Sequence, residues 1–280
     1  MQDLADIKGP RFAQLDEAYP LRPENIQFFK ENGYIKLKNV LDKEVLDFYG
    51  DVITSLVFSL NKLNKPMEER TTYEKAFLQI MNLWREDGRV KEFVFSKRLA
   101  KIASDLMGVS GVRLYHDQAL YKEAGGGITP WHADQFYWPL SNSNTVTAWI
   151  PLQSTPQEMG PLAFAEKSQR EQIGRDLEIS DDSEKLLSKQ LENLNLNVND
   201  SFFDLGEVSY HSGWTFHRAG PNVSGRPRKV MTIIYMDKDV RVSNPKNSYQ
   251  ENDWKTWLGS TSIGSIPETS LNPVLFGTDG

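Results

Sequence analysis

The chain has four histidines, His116, His132, His211 and His217, and no cysteine. Any metal must therefore be held by imidazole and carboxylate, and disulfides, thiolate ligands and thiol nucleophiles are excluded. In Trp131-His132-Ala133-Asp134 a histidine and an aspartate stand two residues apart. On an extended segment both side chains leave the same face, so they can share one ion. A further histidine from a facing strand would complete a set of two imidazoles and one carboxylate. That set leaves three octahedral positions open, the arrangement of an iron(II) oxygenase: a bidentate co-substrate takes two and O2 the third. Standing alone, the same His-x-Asp is more often a surface histidine beside a turn aspartate.

A second segment, His217-Arg218-Ala219-Gly220-Pro221-Asn222, is followed by Arg226 and Arg228. His217 closes an expected strand, and Gly220-Pro221-Asn222 is turn chemistry. Arg228 opens the apolar strand Val230–Met236, where an unpaired guanidinium is costly to bury. Its fork would suit a bound carboxylate, such as the distal end of 2-oxoglutarate. A protein carboxylate or solvent would satisfy it as well.

The elements that must carry these residues change character along the chain. Residues 1–22 read as an arm. Residues 23–32 suit a short helix stopped by Gly33, and 34–38 alternate like a strand. Residues 42–108 are a helical lead-in, with one helix capped by Asp42 and a second from Ser96 to Gly108. Beyond it, 112–122, 128–132, 145–152, 161–165, 208–211, 215–217 and 230–236 are short, rich in β-branched and aromatic residues, and separated by turns. Together with 34–38 they predict about eight strands. The fold class is mainly β with flanking helices: a jelly roll, or double-stranded β-helix, of the cupin-like kind. The charged, Leu/Asn-rich stretch 166–200 reads as a solvated helical insertion, and 241–280 as a tail wrapping the body.

Composition agrees with one ordinary globular domain over residues 1–280, with 39% hydrophobic and 25% charged residues. A net charge of −6 without a basic cluster argues against nucleic-acid binding. No signal-peptide core or membrane span is apparent, so a cytoplasmic protein is expected.

Taken in order, these segments resemble the phytanoyl-CoA dioxygenase family. FKENGYIKLKNVL at 29–41 is similar to its first strand, and YHDQALYKEAGGGITPWHAD at 115–134 to its metal-bearing stretch. TAWIPLQ at 147–153, MGPLAFAEKSQR at 159–170, HRAGPNVSGRPRKVMTIIY at 217–235 and LNPVL at 271–275 follow suit. The resemblance covers roughly residues 24–275. It implies Fe(II) held by His132, Asp134 and His217, with 2-oxoglutarate and O2 as co-substrates and ascorbate as a useful reductant in vitro. Arg228, eleven residues after His217, falls on the family's 2-oxoglutarate arginine, with Arg226 the runner-up. Trp149 falls beside the co-substrate and Trp138 on the substrate side.

His116, Gln118 and Lys122 share a strand face and read as pocket residues, Lys122 for co-substrate or substrate. Because Asp134 supplies a carboxylate where related halogenases have a small residue, hydroxylation, desaturation or ring closure is implied. Two departures concern the co-substrate's surroundings. Ala165-Glu166-Lys167-Ser168-Gln169 replaces the family's Pro-Gly-Ser-His, and Ala219 stands where many members carry serine. His211 is the main rival of His217, but no Gly-Pro-Asn or suitably spaced arginine follows it.

The aromatic run Phe136-Tyr137-Trp138 beside the metal points to a small-molecule substrate that is partly apolar or cyclic, with Lys122 or His116 anchoring a carboxylate on it. Two other readings remain: a cupin-like metal enzyme without 2-oxoglutarate, and a non-catalytic binding protein of the same fold. The first has no use for Arg228, and the second has no use for an intact ligand set.

Overall fold

Alternating side chains in the strand-rich half of the chain build two antiparallel sheets, seen in a computed structural model that describes residues 12–277. In chain order the strands are β1 (Tyr34–Leu37), β2 (Leu78–Met81), β3 (Val112–Tyr121), β4 (Thr129–His132), β5 (Thr145–Pro151), β6 (Leu162–Ala165), β7 (Val198–Asn199), β8 (Val208–Ser212), β9 (His217–Ala219), β10 (Val230–Asp237) and β11 (Val274–Phe276). The helices are α1 (Pro23–Asn32), α2 (Lys43–Leu60), α3 (Thr72–Ala76), α4 (Gly88–Val94), α5 (Lys97–Met107), α6 (Asp181–Asn193) and α7 (Ser248–Thr256). Among the described residues the larger sheet runs β1-β8-β5-β10-β3-β11, with β2 also on β3, and the smaller runs β4-β9-β6-β7. The fold is the expected jelly roll.

The large sheet sorts its side chains by period two. Val146, Ala148 and Ile150 of β5, with Met231, Ile233 and Tyr235 of β10, pack into one apolar core with α2, α4 and α5. The stripes expected on α2 and α5 are that core: Tyr49, Ile53, Leu99 and Leu106 are all fully buried. The alternate residues, Thr147, Trp149, His211, Gln118 and Thr232, face inward and line a cavity between the sheets. A bulge at Tyr115 shifts the β3–β10 register and puts His116 on that inner face, opposite Ile234.

Helix ends follow local chemistry. Gly33 and Gly108 end α1 and α5 in the left-handed conformation, and Ser96 Oγ accepts from Leu99 N. Asp42 occupies the cap position of α2, but its side chain makes no capping bond. Other expectations also need correction. The lead-in is not purely helical, because β2 adds a strand to the large sheet. The strand expected to end at His217 instead begins there, pairing with β4 and β6. The tail is no mere wrap: β11 pairs with β3, and α7 contacts the turn after β4. Of the arm, residues 1–11 lie outside the described residues, while Leu15 is buried in the core.

The stretch 166–200 departs furthest from its expectation. Its charged helix α6 buries Leu187 and Leu191, one turn apart, against Trp131, Ala165 and Phe216. Ser183 Oγ donates to Trp131 O at 3.0 Å, and Trp131 N donates to Glu184 Oε2 at 2.8 Å. A narrow apolar stripe on an otherwise polar helix was enough to dock it. α6 therefore backs the strand that ends in His132.

Leu187→Ala is expected to lower stability by about 2–5 kcal/mol, the usual cost of emptying a fully buried leucine site. Urea unfolding followed by tryptophan fluorescence measures it. A loss below about 1 kcal/mol would mean that α6 is not part of the core.

Candidate metal centre

β4 ends on His132 and β9 begins on His217, and the two residues are register partners. Their rings therefore leave the same face of the small sheet, with centroids 4.1 Å apart. Asp134 opens the 3₁₀ turn Asp134–Tyr137 directly after β4. Its Oδ1 lies 3.7 Å from His132 Nε2 and 3.6 Å from His217 Nε2. The donor atoms of all three residues fall within 4.8 Å of one another, close enough for one ion.

The tautomers are set by backbone. His132 Nδ1 is 2.7 Å from Pro130 O, and His217 Nδ1 is 2.9 Å from Thr215 O. A carbonyl oxygen only accepts, so each Nδ1 carries the hydrogen and each Nε2 keeps a lone pair for a metal. Burial, and then the neighbouring imidazole, push the His132 and His217 pKa values down to about 4. Both rings are neutral, ligand-ready bases at neutral pH.

The second oxygen of Asp134 is held from the opposite sheet. Thr147 Oγ1 donates to Oδ2 at 2.8 Å, and His211 Nε2 lies 3.3 Å from the same atom. Thr147 and His211 are themselves register partners on β5 and β8. Burial opposes ionisation of Asp134, but His217, His211 and His132 together hold its carboxyl well below the usual range. One oxygen is committed to the protein, and the other faces the His132 and His217 imidazoles. Sequence reasoning weighed His211 as the rival of His217 and did not see Thr147. Thr147 stands two residues before Trp149, so period-two spacing would have found it on the inner face.

Arg228 lies deep in the same cavity and is 1% exposed. Its Nη1 donates to Gly160 O at 2.5 Å, its guanidinium lies over the Trp149 ring, and its Nε has no partner. Among the described residues no carboxylate pairs with it. Burial alone lowers its pKa to about 9, which reflects that isolation. Gly160 cannot be replaced here: its φ is +65°, and a Cβ would fall 2.2 Å from Gly220 O.

The cavity has a volume of about 560 Å³. It contains nearly every residue singled out from sequence: His116, Gln118, His132, Asp134, Trp138, Trp149, His217 and Arg228. Three are placed elsewhere, one of them Arg226, which is exposed and off the cavity wall. Lys122 is fully buried, pairs through its backbone with Arg228, and donates Nζ to the carbonyls of Gly127 and Gly220. Burial, with Arg228 adding to it, lowers the Lys122 pKa to about 6, so it supplies no free ammonium to the cavity. Phe136 packs its ring on Tyr137 and Tyr249 and is not part of the cavity wall. The remaining wall comes from segments the sequence did not nominate: Phe77, Gln79 and Met81 around β2, and Tyr249, Asp253 and Trp257 on or beside α7. Both segments lie far from the motifs in sequence, and no local signal marks them.

Comparison with known proteins agrees with this geometry. The family model for phytanoyl-CoA dioxygenase matches residues 29–230. A probable alpha-ketoglutarate-dependent hypophosphite dioxygenase of Stutzerimonas stutzeri is 24% identical over 155 residues. That match spans 54% of this chain and 54% of the relative, about half of each. The non-heme alpha-ketoglutarate-dependent carbocyclase SnoK from nogalamycin biosynthesis superposes with a TM-score of 0.74 at 24% identity, covering 95% of this chain and 99% of that one. The epimerase SnoN, solved with Fe3+, alpha-ketoglutarate and nogalamycin RO, superposes with a TM-score of 0.75 at 20% identity, covering 90% and 98%.

His116 provides a stability test. Burial lowers its pKa to about 4 from an ordinary 6.5. The folded value lies below the unfolded one, so the unfolded chain binds the proton first. The group's stabilising contribution is complete above about pH 6.5 and is gone once pH falls through about 4. His116→Phe is therefore expected to lose less stability than wild type between pH 7 and pH 4, by roughly 3 kcal/mol. Urea unfolding of the metal-free protein across that range measures it, and parallel pH curves would refute the buried neutral histidine.

Proposed function

Since the chain belongs to the phytanoyl-CoA dioxygenase family, we propose that it is an Fe(II)- and 2-oxoglutarate-dependent oxygenase that oxidises a C–H bond of a small organic molecule and releases succinate and CO2. The observation that carries this reading is Arg228. A buried guanidinium without a carboxylate, in the cavity that also contains the His-Asp-His cluster, is stable only if an anion completes it. A cupin-like enzyme without 2-oxoglutarate has no use for it.

His132, Asp134 and His217 would hold the iron, whose donor set of two neutral imidazoles and one carboxylate they match. Iron, 2-oxoglutarate and O2 supply the oxidising power, and the protein supplies position and exclusion of side reactions. Thr147 and His211 fix the Asp134 carboxylate so that Oδ1 stays turned toward the ligand imidazoles. Arg228 receives the distal carboxylate of 2-oxoglutarate through its unpaired edge. The Trp149 ring covers one face of the guanidinium and keeps water from it. Lys122, spent on carbonyls beside Arg228, does not touch the co-substrate. Ala219 lines the cavity without a hydroxyl, so Arg228 carries the co-substrate recognition that a serine would share.

The aromatic wall formed by Phe77, Tyr137, Trp138, Tyr249 and Trp257 suits a partly apolar or cyclic substrate. The same reading takes residues 1–280 as one oxygenase unit acting on a metabolite in the cytoplasm. No helix among the described residues is long and apolar enough to cross a membrane.

The test is succinate release by purified protein supplied with Fe(II), ascorbate, 2-oxoglutarate and O2. Wild type is expected to release succinate even without substrate, and His132→Ala and Arg228→Met to reduce it at least 100-fold. Arg228→Met should leave stability within about 1 kcal/mol or raise it, because it removes an uncompensated buried charge. Metal binding through His132 with no affinity for 2-oxoglutarate would support the cupin-like reading instead.

A further inference from the structure

The cavity has a second charged end. Asp253 of α7 lies on its wall, and apart from Asp134 it is the only carboxylate among the described residues that line it. Among the same described residues Arg228 is the only Lys or Arg. If the oxygenase reading holds, Asp134 serves the metal and Arg228 the co-substrate. Asp253 is then the one formal charge left to meet a substrate.

The surroundings of Asp253 are built to keep it uncompensated. Its Oδ2 accepts from Tyr115 Oη at 2.9 Å. Among the described residues its Oδ1 has no hydrogen bond and no cation pairs with it. Burial accordingly pushes its carboxyl up to about 7, opposed only by the Tyr115 bond. Aromatic rings share the cavity wall with it. Trp138 packs on Tyr115 with centroids 5.3 Å apart, Tyr249 lies 5.5 Å from Tyr137, and Trp257 lies 5.5 Å from the His116 ring. Trp138, Tyr137, Tyr249 and Trp257 all line the cavity.

The helix carrying Asp253 is tied to the metal turn. Asn247 caps α7 by accepting from Gln250 N at 2.8 Å, and Gln250 Nε2 donates to Phe136 O at 2.9 Å. Asp253 is thus held in position relative to the turn that carries Asp134. A carboxylate with a vacant oxygen inside a set of aromatic faces is the chemistry that recognises an organic ammonium group, by an ion pair and by cation–π attraction.

We propose that Asp253, with Trp138, Tyr249 and Trp257, is a substrate subsite for a protonated amine. The inference rests on the oxygenase reading for which end of the cavity the substrate occupies. It reverses the expectation of a carboxylate-bearing substrate. Lys122 is committed to backbone carbonyls, and His116, with its pKa near 4, is neutral and offers no positive charge.

The experiment compares three ligands that share one ring: phenethylammonium, 2-phenylethanol and phenylacetate. Each is titrated at pH 8 into the protein loaded with metal and 2-oxoglutarate, with tryptophan fluorescence as the readout. Wild type is expected to bind phenethylammonium at least tenfold more tightly than 2-phenylethanol, and phenylacetate most weakly. Asp253→Asn, which keeps an acceptor for Tyr115, should bring phenethylammonium and 2-phenylethanol within twofold of each other, with near-UV circular dichroism confirming its packing. Equal affinities in wild type, a preference for phenylacetate, or a cation preference that survives in a folded Asp253→Asn would each overturn the proposal. The two readings fail separately. Wild type without affinity for 2-oxoglutarate sinks the oxygenase, whereas wild type that binds 2-oxoglutarate but does not prefer the cation sinks only the amine subsite.

Discussion

A part-buried carboxylate needs polar partners for both of its oxygens, and this protein supplies them from both sheets at once. Asp134 Oδ1 faces His132 and His217, a cross-strand pair on the small sheet. Oδ2 takes Thr147 and His211, a cross-strand pair on the large sheet. The separation and register of the sheets must satisfy both pairs together. A slip of one residue in either register would turn a histidine outward and leave the carboxylate without its partners. The same arrangement commits one oxygen to the scaffold and leaves the other for a metal.

Around that point the molecule divides labour by layer. The outer face of the large sheet carries the apolar load against α2, α4 and α5, so its inner face is free to be polar. α6 backs β4 from outside through Leu187, Leu191, Ser183 and Glu184, and α7 grips the turn after β4 through Gln250. The strand–turn unit that presents His132 and Asp134 is therefore clamped from two sides. That suits a site whose ligands must hold their geometry while small molecules exchange.

The cavity is electrically polarised along its length. Arg228 makes one end positive, and Asp253 carries the carboxylate of the other. Neither Arg228 nor Asp253 has an ion-pair partner among the described residues. Uncompensated charges of opposite sign at two ends of one cavity orient a ligand pair before any shape-specific contact forms.

The candidate metal cluster was legible in the sequence because its signals are local. The spacing of His132 and Asp134 fixes a shared face by the geometry of an extended chain, and a chain with four histidines leaves few alternatives for the third ligand. The resemblance carried by the ordered segments pointed to His217 and Arg228. Strand alternation likewise marked the jelly roll and the inner face of β3. What required the tertiary structure was everything that depends on which distant segments meet. Register pairing, which sequence does not state, put His217 opposite His132 and His211 behind Asp134. The docking of α6 turned an apparently solvated insertion into part of the core. Lys122 shows the limit most clearly. It was read onto the pocket face of its strand, but its long side chain runs to the carbonyls of Gly127 and Gly220, since a buried amine takes the nearest acceptors rather than the role its position suggests. Asp253 had no motif at all, because a single carboxylate on a polar helix joins a cavity wall only when folding brings that helix against the turn after β4.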